Sequence, residues 1–585
     1  MPQPPLREAA QQTPQTLFLK PGFLWLALSL LIPAAYAVSV LPTFLNPPYA
    51  VQDDARVYLI WMQRFTDPEL LRGDWMADYL QSVTPRGYAA VYQLFTLLGI
   101  PPLLFSKLLP LLLTLAFSFF CYQFCLSLLP VPAGAFAGTL LLNQALWLRD
   151  DIVSANPRSY LYPLMLAFLY LMVRQRWLLA NMVMVAMGLF FPIALLLAAG
   201  LMALQIAVSL WQRRRGVPYC FGWTTLTRRD FLFCLGGLAA ALAVMLGYAS
   251  HESQFGPAVT AAQARTWVEF TMQGRIPFFD TENPLRGLFA GRHSGIRLSL
   301  NPPLLGLSFL LPLLLAFPRR FPVVQRIHPG IILLLQLALV SFGWFVLAYL
   351  LLFRLYHPSR YTVHTLLIVM AVAAGLTFGI LWETVWERMK QSPQNRTKLW
   401  LTAVLVMGLV LVAYPHLAWS KSFPNDRVVI GEAPAIYQFL RQQPRDTVVA
   451  SLAVESDNIP IFALRTTLVA QEYGNPYHVG YYREFRKRAS DLVRAQYSAS
   501  PAVVKQFIDQ YQIDFWLIEN NAFSPEYLEG DRWRRQYEPA VGEAVAAMQR
   551  GEVSLLQQGG DRCTVARDPR FALVSSQCIV NLSGL

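Results

Sequence analysis

Charge is scarce in this chain: Asp, Glu, Lys and Arg make up 14% of its 585 residues, against about a quarter in soluble domains. Cysteine is scarcer, with six in all, too few for a disulfide scaffold. No glycine-rich phosphate loop is present, so no nucleotide is assigned. Nor is any basic stretch interleaved with aromatics as a nucleic-acid stacking surface requires, and the net charge of +13 therefore does not imply a nucleic-acid partner. The polar start, 1–20, leads into an apolar run of about 25 residues without a cleavage site. That run is expected to stay in the membrane as a first span.

Apolar residues are what the chain has in abundance, at 55%, with a mean hydropathy of +0.38. The expected class is an α-helical polytopic membrane protein. Spans need about 20 apolar residues, and candidates fall at 21–45, 104–128, 131–148, 159–173, 178–191, 193–212, 231–250, 303–318, 329–353, 362–384 and 399–417. The count is about eleven, with 178–212 also readable as one bent segment. Basic residues gather in alternate connections: Arg174 and Arg176, then Arg213 to Arg229, then Arg319, Arg320 and Arg326, then Arg388, Lys390, Arg396 and Lys398. The positive-inside rule makes these the inner loops. It assigns 1–20 to the cytoplasm and 21–418 to the transmembrane module. The outer segments become 46–103, 149–158, 251–302, 354–361 and the tail, 419–585.

Residues 84–99 (TPRGYAAVYQLFTLLG) are apolar but carry Arg86. They are read as a helix along the outer interface, because a span here would invert every later loop. In the tail, helical stretches at 434–443, 481–497 and 501–512 alternate with apolar strands at 446–454, 465–471 and 513–520. This predicts a small extracytoplasmic α/β domain with a mainly parallel sheet. Cys121 and Cys125 lie one turn apart in an apolar run and read as buried thiols. Cys563 and Cys578 can pair if the tail is extracytoplasmic.

Chemistry concentrates at the outer ends of the spans. YAVQDDARVYLIWM (49–62) places Asp53 and Asp54 just past the first span, with Arg56 and Tyr58 within one turn. Asp there is also a favoured helix cap. A second acidic pair, Asp150 and Asp151, follows the third span in LRDDIVSANPRSY, and RLYHPSRY (354–361) brings Arg354, His357 and Arg360 to another span end. Charges at a membrane edge cost free energy unless compensated, so three such segments on one side predict a shared polar site. Plainer readings stand beside this one. Lys107 at a span start can snorkel to headgroups, Arg149 and Arg158 can pair with Asp150 and Asp151, and His357 can cap carbonyls. Trp61 and Trp75 read as interfacial anchors. The loop 251–302, with Glu252, Glu269, Arg275, Asp280, Glu282 and Arg292, reads as a mobile cover.

The string D-D-x-R-x-Y, a long outer loop after the first span and a second acidic site after the third resemble the C-type (GT-C) membrane glycosyltransferase superfamily. That group includes oligosaccharyltransferases, protein O-mannosyltransferases and aminoarabinose transferases. An interfacial segment with a basic residue, here Arg86, and a trailing outer domain are similar to those of its members. The whole chain also resembles cyanobacterial polytopic membrane proteins, a likeness that supplies no substrate. The resemblance implies transfer of a sugar from a polyprenyl-phosphate carrier to a glycan, lipid or protein acceptor at the outer face of a bacterial inner membrane. Asp53 or Asp54 would be the general base, a role worth about 10²–10⁴ in rate. The leaving phosphate would need cations, with Arg56, Arg86, Lys107 and Arg360 as candidates, Arg354 and His357 behind them and Tyr58 alongside. Asp150 and Asp151 would orient the acceptor, or Asp150 with Asp53 and Asp54 would hold Mg²⁺ or Mn²⁺; members differ in using a metal. The rivals are a transporter or flippase for a lipid-linked sugar or polysaccharide, and a membrane-anchored assembly protein. Internal repeats, which transporters tend to show, are not evident.

Overall fold

The computed structural model describes residues 21–215, 226–250, 253–391, 395–418 and 423–582; residues 1–20 and Glu252 lie outside them. All eleven expected spans are helical. Among the described residues seven helices are long and apolar enough to cross a membrane: Gly22–Leu45, Pro102–Leu128, Pro192–Arg214, Arg228–Ala249, Pro329–Leu350, Pro358–Gln391 and Lys398–Pro415. The other four, Pro132–Trp147, Leu161–Val173, Trp177–Phe190 and the run 303–316, are shorter. At 1.5 Å per residue they fall short of a bilayer core of about 30 Å. The stretch 178–212 is two helices rather than one. Phe191 is extended, and Pro192 opens the second helix, where a missing N–H is harmless.

Helix Val363–Gln391 runs through the middle of the bundle, buried along most of its length. It approaches Pro132–Trp147 backbone to backbone through facing glycines. A Cβ on Gly375 would lie 2.5 Å from Gly138 Cα, and one on Gly134 would lie 2.8 Å from Gly375 O and Gly379 Cα. Two G-x-x-x-G pairs, 134/138 and 375/379, therefore form the contact, a packing mode of membrane helices. The 84–99 segment forms helix Arg86–Leu97, at about 18 Å too short to span. Tyr88 and Tyr92 are buried on one side, while Leu97 is 80% exposed.

Among the described residues seven strands complete the fold: β1 (Ala50–Gln52), β2 (Val428–Ile430), β3 (Val448–Ala450), β4 (Thr466–Thr467), β5 (Phe515–Glu519), β6 (Thr564–Arg567) and β7 (Phe571–Ser575). The tail carries a five-stranded sheet, β4-β3-β5-β7-β6. β3 pairs parallel with β4 and β5, but β7 pairs antiparallel with β5 and β6. The sheet is mixed rather than mainly parallel, because the β6–β7 hairpin adds two strands at one edge. A disulfide, Cys563–Cys578, brackets that hairpin.

The 46–103 segment is no free loop. β1 pairs antiparallel with β2, just ahead of the C-terminal sheet, with Val51 opposite Val429. Tyr79 stacks on Tyr481 with ring centroids 3.7 Å apart, and Trp75 packs on Phe255 and Tyr481. Trp75 and Trp61 thus belong to a protein core, not to an interfacial belt, and share it with the C-terminal residues.

Candidate active site

Asp53 and Asp54 follow β1 directly. The ladder extends by one bond, from Asp53 N–H to Arg427 O, so the ribbon fixes where the acid pair begins. Neither aspartate caps the next helix, Arg56–Met62. Gln52 serves there instead, its Oε1 accepting the Ala55 N–H at 2.9 Å. Both carboxylates are left to face other partners, and they part.

Asp53 turns to Arg56. The Arg56 guanidinium bonds the Asp53 carboxylate and, through Nε, its backbone carbonyl. Its Nη1 donates to Asn458 Oδ1 at 2.9 Å and lies 3.8 Å from Asp457 Oδ2. With its side chain 4% exposed, Arg56 is held among protein groups rather than offered to a phosphate.

Asp54 turns to Arg158. The Arg158 Nη2 is 2.7 Å from Asp54 Oδ2 and 3.3 Å from Asp150 Oδ2, and its Nε is 3.5 Å from Asp151 Oδ1. Asn156 sets this turn by accepting the Arg158 N–H at 3.1 Å. Arg149 lies 4.0 Å from Asp151 Oδ2, and the Tyr162 hydroxyl bridges Asp151 Oδ2 at 3.2 Å to His364 Nδ1 at 2.8 Å. Burial opposes ionisation of Asp151, yet His364, Arg158, Arg149 and Arg360 outweigh it and hold the carboxyl at about 2. The expected pairing of Arg149 and Arg158 with Asp150 and Asp151 is present. It also captures Asp54 from a different loop, which turns a local knot into a junction.

The third segment reaches the same place in part. Arg360 lies within electrostatic reach of Asp151, Tyr58 and His357. His357 is buried and caps no carbonyl through its ring; its Nε2 meets the Tyr477 hydroxyl of the C-terminal domain at 2.6 Å. Burial, then His293 and Arg360, hold it well below the ordinary range, which favours the neutral ring. Arg354 is exposed and without an ion pair among the described residues. Arg86 is exposed beside Tyr248. The Lys107 ammonium donates to Phe44 O at 2.7 Å, closing the end of the first helix. Tyr58 packs edge-on to Tyr88 and lies near Asp54, Arg158 and Arg360.

Three residues the sequence did not mark join the cluster: Tyr162, His364 and Arg297. Arg297 comes from the 251–302 loop in a left-handed backbone conformation and senses Arg149, Asp151 and Arg360. Lone polar residues in apolar runs gave Tyr162 and His364 no spacing signal. The same loop is no mobile cover: Arg275 reaches Glu472 at 3.2 Å, the Tyr482 hydroxyl donates to Glu269 at 3.0 Å, and Ala258 forms a β-bridge with His478, so several bonds tie it to the C-terminal residues.

As a metal centre the expected set does not fit. Asp53 is drawn off by Arg56, while Asp54 and Asp150 already share a cation, Arg158. A cavity of about 510 Å³, bordered by Glu69, Trp75, Arg445, Arg488 and Tyr511, lies apart from all of these acids.

Helices around a buried central span, an acid-bearing first loop and a trailing α/β domain make up an architecture shared with a solved membrane protein. The chain superposes on the oligosaccharyltransferase of Archaeoglobus fulgidus, solved with a tethered acceptor peptide, with a TM-score of 0.50 and 11% identity over 90% of this chain and 72% of that one. An oligosaccharyltransferase of the same archaeon, AglB, solved with an inhibitory peptide and a dolichol-phosphate, gives 0.48 and 11%, over 88% and 72%. No family model matches the chain, and no curated protein does.

Proposed function

We propose that the chain is a glycosyltransferase moving a sugar from a polyprenyl-phosphate donor to an acceptor at the outer face of a bacterial inner membrane. The observation that carries this reading is the meeting of acids and guanidiniums from three separate segments within a fold shared with an oligosaccharyltransferase. Fold alone does not give activity; the site's chemistry supplies the argument.

Asp53 is assigned as the general base. It is the most open of the four aspartates, with its side chain 32% exposed, and Arg56 engages only one of its oxygens. The acceptor heteroatom attacks the anomeric carbon as the bond to the phosphate oxygen breaks, and its proton passes to Asp53. The departing phosphate gains negative charge, which Arg360, Arg149 and Arg297 are grouped to offset. Asp54, Asp150 and Asp151 hold that cationic wall in place through Arg158. The cytoplasmic N-terminus and extracytoplasmic tail follow from the basic connections.

Glycan profiling of a deletion strain, complemented with wild type or Asp53→Asn, tests the reading. A glycan or glycoconjugate lost on deletion and restored only by wild type is expected, with both proteins accumulating equally. Full restoration by Asp53→Asn removes the base, and an unaltered profile on deletion removes the function.

A further inference from the structure

Three carboxylates from two loops about a hundred residues apart do not stay together unaided. At separations of about 4 Å, like charges repel by about 1 kcal/mol in water and several-fold more near a protein surface. In this chain one side chain draws them in. Arg158 presents Nη2 to Asp54 and Asp150 and Nε toward Asp151, at 2.7, 3.3 and 3.5 Å, and its side chain is 12% exposed. A divalent ion gathering such carboxylates would need oxygens at about 2.0–2.1 Å for Mg²⁺, or up to about 2.6 Å for Ca²⁺. Here the acids meet guanidinium nitrogens instead: Nη2 donates to Asp54 and lies within ion-pair range of Asp150, while Nε is within ion-pair range of Asp151 without a hydrogen bond.

We infer that the Arg158 guanidinium is the resident cation of this acid cluster, standing where a divalent ion would otherwise be needed to join the loop 46–103 to the loop 149–158. Arg158 is a positioning residue in this role. It carries one permanent charge, holds Asp54 and Asp150 across the junction, and leaves the phosphate to Arg360, Arg149 and Arg297. The inference rests on the glycosyltransferase reading only for its meaning in the reaction; the cation's place in the cluster is a separate matter and is tested separately.

Mn²⁺ serves as the probe, with binding to the purified full-length protein followed by electron paramagnetic resonance. Wild type is expected to take up no Mn²⁺ below about 1 mM, the range of weak carboxylate sites. Arg158→Ala removes the cation that touches all three acids, leaving Arg149 beside Asp151 and Arg360 and Arg297 at longer range, and is expected to bind one Mn²⁺ at a concentration at least about tenfold lower. Adding Asp150→Asn should abolish that binding. Should Arg158→Ala fail to accumulate, Arg158→Gln removes the charge while keeping most of the side chain. Transfer by wild-type membranes is expected to survive EDTA within about twofold. A stoichiometric Mn²⁺ in wild type that Asp54→Asn or Asp150→Asn removes, no uptake in either Arg158 variant, or loss of transfer in EDTA overturns the inference. Loss of transfer in Asp53→Asn bears only on the enzymatic reading.

Discussion

Glu455 sits 7% exposed beneath the Arg56 junction, its Oε1 accepting the Glu432 N–H at 3.0 Å and the Asn458 amide at 3.2 Å. Burial is the main influence and pushes its carboxyl up to about 7, against the smaller pull of those hydrogen bonds and of Arg56. Asp457, beside it, is also raised by burial, with Arg56 opposing. For an acid raised in the folded state, stability is full below the unfolded value near 4.3 and is lost as pH climbs through about 7. The unfolding temperature in detergent should therefore fall between about pH 4 and 7, with Glu455 contributing on the order of 3 kcal/mol. Glu455→Gln should flatten the fall; an unchanged slope would assign it elsewhere. Asp151, held low, adds nothing to this window, since its contribution is lost only as pH drops toward 2. Asp53, Asp54, Asp150 and Asp151 were legible because paired charges at span ends are costly. Their division between Arg56 and Arg158 was not, because Asp457 and Asn458 lie some four hundred residues away.

Among the elements, the glycine contact between Pro132–Trp147 and Val363–Gln391 sets how closely the two most buried helices approach. Any side chain on Gly375 meets the backbone of Gly138, and backbone cannot yield as a flexible side chain can. Gly375→Leu is expected to cost about 1–3 kcal/mol or to prevent accumulation, read as melting temperature and membrane yield. Gly343→Ala, where nothing lies within 4 Å, should be neutral or gain up to about 1 kcal/mol in helix propensity. Equal behaviour of the two would dismiss the close contact. The apolar runs read cleanly as helices because periodicity and length sufficed. β1 and β2 escaped because three-residue strands carry no period of their own. The hairpin Thr564–Ser575 escaped because β6 is half exposed and its residues, TVAR, read as loop.

For the molecule as a whole, the loop charges predict an orientation that accessibility labelling can check. Single cysteines in a background lacking the native ones, placed at Arg320 and at Arg550, should react with a membrane-impermeant maleimide only at Arg550 in intact spheroplasts. The reverse pattern would turn the acid pairs toward the cytoplasm and end the proposed topology. With the native cysteines, Cys563–Cys578 should persist as a disulfide if the tail matures in an oxidising compartment. The α/β character of the tail was legible from the change in composition after the last expected span. The merging of segment 46–103 with the tail was not, because Tyr79 and Tyr481 are joined only by tertiary packing.

The β1–β2 ribbon has a mechanical outcome. Its last rung ends at Asp53, and its other strand leads through helix Pro434–Arg441 into the C-terminal sheet. On the role proposed for Asp53, a macromolecule bound to the C-terminal domain would be coupled to that carboxylate through two paired strands, outside the lipid-embedded helices.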